Sequence, residues 1–249
     1  MIKGILTIIV CTICILSNAQ FDSKDEKRSN YRPGLMWFYS GIRPEKSKHD
    51  DVRKYDRLII DVTYNDWIGD NDLFENHWAS IGMNTSLMFD IPLTGRNTVS
   101  LGIGVAYQYV NIRHDNKLVI DDAKHTTIYT PKDKYDMFDK SIFSGNSFSM
   151  PLELRFRSKN TRHFKFHVGG KIGYQANMLS KRVLVQDGHT ERNKRFGFPD
   201  ENKLLYSAHV RIGIRNWALF GSYNFNTLFS NSNSTQLNLI QLGLSVSLF

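Results

Sequence analysis

Cysteine is almost missing from this sequence, and the little there is sits at the front: Cys11 and Cys14 are the only two in 249 residues. From residue 20 onward, no disulfide, thiol nucleophile or cysteine-based zinc site can be built. Long apolar runs are missing too. The one from Gly4 to Leu16 is shorter than the roughly 20 residues of a spanning helix. No later stretch approaches about 18 apolar residues, so a transmembrane helix is excluded on the same ground. Charge is not lacking, and its balance is basic, at +8. The basic residues are spread along the chain, so the footprint of a nucleic-acid-binding protein is absent. The excess favours anionic neighbours such as lipid head groups.

The first residues carry a recognisable address. Met1-Ile2-Lys3 is a short basic head, an apolar core follows, and Ser17-Asn18-Ala19 is a small-x-small site. This pattern predicts a secretory signal peptide over residues 1–19, cleaved after Ala19. Neither cysteine follows a small residue as a lipoprotein site requires, so no lipid anchor is expected. Residues 20–56 are polar and charged and read as a periplasmic N-terminal segment. Within it, Pro33 to Tyr39 form an aromatic patch. That patch fits a plug or lid, a partner-binding peptide, a short extra strand, or a segment lying along the membrane surface.

From residue 57 to 249 the dominant signal is alternation. Val99, Leu101, Ile103, Val105, Tyr107 and Tyr109 are apolar or aromatic, with Ser100, Gly102, Gly104, Ala106 and Gln108 between them. A period of two belongs to a strand and not to a helix. The same rule recurs from Leu58, Ala79, Phe148, Phe164, Leu204, Trp217 and Ile240, giving eight segments. Residues 92–97, 158–162 and the step at Asn216 are short connections. Residues 68–77, 113–146, 177–202 and 227–236 are long ones. Long and short connections alternate along the chain, as the external loops and periplasmic turns of outer-membrane barrels do. The expected fold is all-β: a closed, antiparallel, up-and-down transmembrane β-barrel of about eight strands, or ten if the N-terminal segment adds two. The negative mean hydropathy is compatible with this, because only alternate residues face lipid.

A soluble, lipocalin-like ligand-binding barrel would also have eight strands, with the apolar rows turned inward. Three features favour lipid on the apolar side. The apolar rows carry no charge, whereas the opposite rows carry Asp61, Glu153, Arg155, Lys165, Lys171 and Arg211. Aromatics such as Tyr64, Tyr107, Tyr109, Trp217 and Phe225 lie toward row ends, where an interfacial girdle would sit. The connections are strongly unequal in length. The closing run Leu242-Gly243-Leu244-Ser245-Val246-Ser247-Leu248-Phe249 resembles the last strand of bacterial outer-membrane barrels, although Phe249 is out of phase with the row ending at Leu248. With the export signal ending Ala19-Gln20, the chain is similar to the outer-membrane β-barrel proteins of the Bacteroidetes. That resemblance implies the cell outer membrane as location, outer-membrane lipids as neighbours, and recognition of the C-terminal strand by the barrel-assembly machinery. It implies no single activity.

Candidate chemistry is sparse. Glu153, Arg155, Lys165, His167, His209 and Arg211 should point into the lumen. If the turn at 158–162 closes a regular hairpin, Glu153 lies opposite His167. Such a His–carboxylate pair is one part of a hydrolase or acyltransferase site, as in a lipid-modifying outer-membrane enzyme. The plainer reading is a network of paired charges filling the lumen, with no catalytic residue. Ser207 is about 7 Å from His209 along the strand, too far for a direct bond. Asp66, Asp70, Asp72 and Glu75 could hold Ca²⁺, but the spacing is not that of an EF-hand loop, and a solvated acidic turn is the simpler account. No metal is expected. Gly102, Gly104, Gly169, Gly170 and Gly173 lie mid-strand without a following helix, so no nucleotide cofactor is expected; they relieve crowding in a small, curved barrel. In the long connection 113–146, Tyr129, Tyr135, Met137, Phe138, Ile142 and Phe143 either pack it over the barrel, touch a partner, or sit in a solvated loop. The expected role is that of a membrane-anchored structural or interaction protein presenting its external loops, without a wide pore.

Overall fold

The computed structural model describes residues 57–70, 77–94, 98–131, 138–158, 164–186 and 189–248. Eleven strands are present among them: β1 (Leu58–Gly69), β2 (Ile81–Pro92), β3 (Val99–His114), β4 (Lys117–Asp121), β5 (Thr126–Thr130), β6 (Phe138–Arg157), β7 (Phe164–Gln186), β8 (His189–Phe196), β9 (Leu204–Ile214), β10 (Trp217–Asn224) and β11 (Leu237–Ser247). Eight of them close into a barrel in the order β1-β2-β3-β6-β7-β9-β10-β11, each antiparallel to its neighbours. The first and last strands seal it. Ile60 faces Val246, Tyr64 faces Leu242, and Leu248 N–H donates to the Leu58 carbonyl at 2.8 Å. No edge is left open in the barrel wall, which a lipid solvent requires.

The direction of the rows settles which solvent surrounds the barrel. Ile103 is 41% exposed and Leu219 66%, whereas Asp61, Ser100 and Arg155 are fully buried. The apolar rows face outward and the polar rows face the lumen. This excludes a soluble barrel with an apolar interior. The outward band on β3 runs from Val99 to Tyr109, about 33 Å of strand at about 3.3 Å per residue. With the usual tilt of about 40°, it covers about 25 Å, the height of the apolar belt of an outer-membrane barrel.

The short connections lie at one end. The tightest, Arg215-Asn216, is a two-residue hairpin loop between directly paired Ile214 and Trp217. Arg215 adopts a φ of +57° there, as two-residue hairpins demand of their first loop residue. At the opposite, external end, β6 and β7 run on past the membrane belt. Their pairing continues to Phe138 and Leu184 through a bulge near Asn146. β8 adds to β7 there, and β4 and β5 form a separate hairpin. The stretches 113–146 and 177–202 are therefore largely strand rather than loop. The extra strands belong to this extension and not to the barrel wall, which keeps eight.

The pattern inverts where the extension begins. On β3 the lumenal row is Ser100, Gly102, Gly104, Ala106 and Gln108, then becomes Val110 and Ile112. The outward row changes from Tyr109 to Asn111 and Arg113. Below the change the outside is lipid; above it the outside is water, so apolar side chains gain by turning inward. Trp67, Val110, Ile112, Leu118, Tyr129, Phe143, Met178, Phe198, Leu228, Phe229, Leu237 and Leu239 pack into one buried cluster. Trp67 meets Phe143 edge-on at 5.3 Å, and Phe198 meets Phe229 at 5.7 Å. This apolar cap closes the external end of the barrel. Tyr129 and Phe143 thus pack the long connection down onto the barrel, and Ile142 is half-buried on its outer side. Tyr135 and Met137 lie outside the described residues, as do the signal peptide, the aromatic stretch 33–39 and Phe249.

Candidate functional site

The polar rows of β1, β2, β6, β7 and β9 meet in a lumen occupied by their own buried side chains. Glu153 stands at its centre and is almost completely buried. Its Oε2 accepts from Arg155 Nε at 2.8 Å. Its Oε1 accepts from Arg211 Nη1 and contacts His209 Nε2 at 2.8 Å. Arg211 also grips Asp61, with Nη2 to Oδ2 at 2.8 Å and Nε to Oδ1 at 3.1 Å. The guanidinium fork suits this double engagement, and it lies 5.0 Å from the Phe220 ring centre. Toward the periplasmic end, Asp90 receives Arg155 at 2.6 Å and Arg157 at 2.5 Å. Arg157 also donates to Ser100 Oγ at 2.8 Å.

Of the six lumenal candidates, five converge on or beside Glu153: Glu153 itself, Arg155, Arg211, His209 and, at 3.9 Å from Nδ1 to Oε2, His167. Lys165 does not join them. Its Nζ donates to Ser247 Oγ at 2.7 Å near the periplasmic rim. Three members were missed by sequence reasoning as network partners: Asp61, Asp90 and Arg157. Parity alone could have found them, since all three share the phase of an inward row. Lys171 completes the set through Gln108 Oε1 at 2.7 Å.

The expected facing of Glu153 and His167 is corrected by the register. Glu153 pairs with Gly169, and His167 pairs with Arg155. The hairpin closes from Arg157 to Lys165, two positions wider than a regular turn at 158–162 gives. Glycine at 169 leaves room for the Glu153 side chain: a Cβ there would stand 3.0 Å from its Cγ and 2.2 Å from the Leu152 carbonyl oxygen. Gly102 does the same for Arg155, whose Nε would lie 2.6 Å from an added Cβ.

The arrangement can do little chemistry. Buried cations and carboxylates hold one another, which offsets the large cost of removing each from water. His209 is mid-strand and His167 is fully buried, so neither is presented to lipid head groups at a rim. Ser207 pairs across the strands with Lys171 and Asn224. Beneath the apolar cap, a residual cavity between Trp67, Gln108, Phe143, Gln175 and Leu239 has space for little more than a water. In the acidic turn, Asp70 Oδ2 accepts from Gln236 N–H at 2.9 Å, and Asp66 Oδ1 accepts from Trp67 N–H at 2.7 Å. Asp72 and Glu75 lie outside the described residues.

A second polar centre ties the external elements together. Asp200 is buried and accepts from Thr127 Oγ1 at 2.6 Å and from Ser234 Oγ. Ser230 N–H donates to its carbonyl at 2.8 Å. One residue thus joins β5, the segment before β9 and the β10–β11 connection. Nearby, His114 is buried edge-on against Tyr129 at 5.1 Å and accepts from Asn116 N–H at 3.2 Å. Burial, reinforced by the Arg182 guanidinium, pushes the imidazole down to about 4.

A closed barrel with a charged lumen, an apolar outer belt and an apolar external cap is a transmembrane barrel of the outer membrane. The family model described as "Outer membrane protein beta-barrel domain" matches residues 16–233, and the chain belongs to that family. Two solved structures of Ail, the attachment invasion locus protein of Yersinia pestis, are similar to it. One is 14% identical, covers 76% of this chain and 95% of Ail, and has a TM-score of 0.37. The other, in complex with the heparin analogue sucrose octasulfate, is 13% identical, covers 76% and 96%, and has a TM-score of 0.34. Likeness at this level carries no ligand or activity across. No curated protein matches the chain.

Proposed function

We propose that this protein is a membrane-anchored structural and interaction protein whose external β extension is its working surface. The observation that carries the reading is the double closure of the barrel. Paired charges around Glu153 fill the lumen, and the cap around Phe229 and Trp67 seals its external end. Among the described residues, the accessible external surface includes the extension built from β4, β5, β8 and the outer halves of β6 and β7. An export signal at residues 1–19, a periplasmic segment at 20–56 and kinship with the Bacteroidetes barrels belong to the same proposal. So do its partners: outer-membrane lipids around the belt, the assembly machinery at the C-terminal strand, and a protein partner at the external loops or the N-terminal segment. Reconstitution in planar bilayers tests it. The expected result is no large, sustained single-channel current; such currents overturn the reading. A lipid-modifying activity is the rival, and membrane-lipid mass spectra that change on gene deletion would favour it.

A further inference from the structure

The outward face of the β7–β8 extension carries a cationic cluster to which, among the described residues, no carboxylate is paired. Lys181 lies directly opposite Lys194, and Val183 opposite Arg192. Lys181 and Val183 alternate with the buried Met178 and Ser180 side of β7, so Lys181, Lys194 and Arg192 share one face, on which Val183 is itself covered and Arg192 and Lys194 stay exposed. Like charges placed directly opposite across strands are destabilising unless something neutralises them. The cations at the alternate positions of the same two strands do have partners. Arg182 donates to the Leu118 carbonyl, and Arg195 pairs with Asp122 at 2.9 Å. Among the described residues no carboxylate pairs with Lys181, Arg192 or Lys194, and Arg192 and Lys194 are exposed.

Position points to a partner. The outward row of β7 is the lipid-facing row in its lower half, where Ile172 and Tyr174 are exposed. Past the bulge the same face continues through Leu179, opposite Phe196, to the cations. Phe196 is 64% exposed and stands two pairs below Lys181 and Lys194 on the same face, on the membrane side. From Tyr174 to Lys181 the strand climbs roughly 15–20 Å along the membrane normal, at about 3.3 Å per residue and the usual tilt. That is beyond the head group of a phospholipid, which adds only about 5–8 Å to each side of the hydrocarbon. It is within reach of a large sugar-phosphate head group.

We propose that Lys181, Arg192 and Lys194 bind the phosphate groups of outer-leaflet glycolipids, so that the extension is held against the membrane surface by the lipid itself. Phosphate suits the cluster because each cation can form a charge-assisted hydrogen bond to it. The anion also removes the Lys181–Lys194 repulsion.

The test uses the full-length barrel in phosphatidylcholine nanodiscs. It is titrated with a rough lipopolysaccharide bearing a phosphorylated core, with the same glycolipid after removal of its core phosphates, and with phosphatidylglycerol. Retained lipid is counted by native mass spectrometry. The wild type should prefer the phosphorylated glycolipid over both others, and raised salt should weaken that preference. The combined variant Lys181→Gln, Arg192→Gln, Lys194→Gln should lose affinity about a hundredfold, with unchanged heat-modifiable migration. Lys181→Arg with Lys194→Arg should keep it. Equal retention of the phosphorylated and dephosphorylated forms by the wild type overturns the proposal, whether or not the variant folds. So does full affinity in a folded triple variant.

Discussion

Arg211 on β9 holds Asp61 on β1 with two hydrogen bonds, 2.8 Å from Nη2 to Oδ2 and 3.1 Å from Nε to Oδ1, while its third nitrogen reaches Glu153 on β6. One guanidinium therefore links three strands that are not neighbours in the wall. Replacing it should do more than remove a contact, because Asp61 loses its guanidinium partner while Glu153 loses one of the two it has. Arg211→Met is expected to destabilise the barrel by about 3–5 kcal/mol. Arg211→Lys should recover only part, since a single ammonium cannot reproduce the fork. Urea unfolding in lipid vesicles measures both. A loss below about 1 kcal/mol for the methionine variant would show that the network does not hold the fold.

The two faces of β3 give opposite answers at adjacent positions. Ile103 faces lipid, and Ile103→Arg should cost about 2–4 kcal/mol at mid-belt. Gly104 faces the lumen, and an added Cβ would stand 2.1 Å from the Leu87 carbonyl oxygen. Gly104→Ala should therefore cost about 1–3 kcal/mol through overpacking, although alanine carries no charge. The comparison is read from urea midpoints in vesicles. An inert Gly104→Ala would mean that the strands pair less closely there.

Acid should loosen the external cap before it touches the barrel. His114 titrates at about 4 in the fold and at 6.5 when free of it. Between these values the unfolded segment binds a proton that the folded one excludes. Stability is thus fully present above about pH 6.5, falls as the pH drops, and levels off below about 4. The whole change amounts to about 3 kcal/mol. Hydrogen exchange at Tyr129 and Phe143 should accelerate at pH 4.5 relative to pH 7, and His114→Asn should flatten the difference. Equal protection at both pH values in the wild type would contradict the buried neutral imidazole.

Asp200 should matter to the extension and not to the barrel. Asp200→Ala strands the Thr127 and Ser234 hydroxyls without their acceptor, at a cost of about 1–3 kcal/mol. Limited proteolysis between residues 117 and 130 should speed up, while the mobility difference between unboiled and boiled samples stays intact, because the closed wall still pairs every backbone group. Loss of that mobility difference would place Asp200 in the barrel's own folding.

Periodicity made most of the wall legible in the sequence. A strand puts alternate residues on opposite faces, so Ile103 and Gly104, or Leu154 and Arg155, declared their sides without any neighbour being known. Unequal connections declared the hairpins, and inward parity marked Glu153, Arg155, His167, His209 and Arg211 as lumenal. What parity cannot carry is register. The turn after Arg157 set Glu153 against Gly169 and His167 against Arg155, and turn conformation is not written in alternation. Nor could alternation show that Tyr129, Phe143, Phe198 and Phe229, from four separate stretches, meet in one cap. Past the membrane belt the surrounding medium changes from lipid to water, so the same rule of burying apolar surface reverses its sign along a single strand. The amino-acid sequence determined which side chains share a face; only the closed barrel and its docked external strands decided which medium each face meets, and which distant charges meet each other.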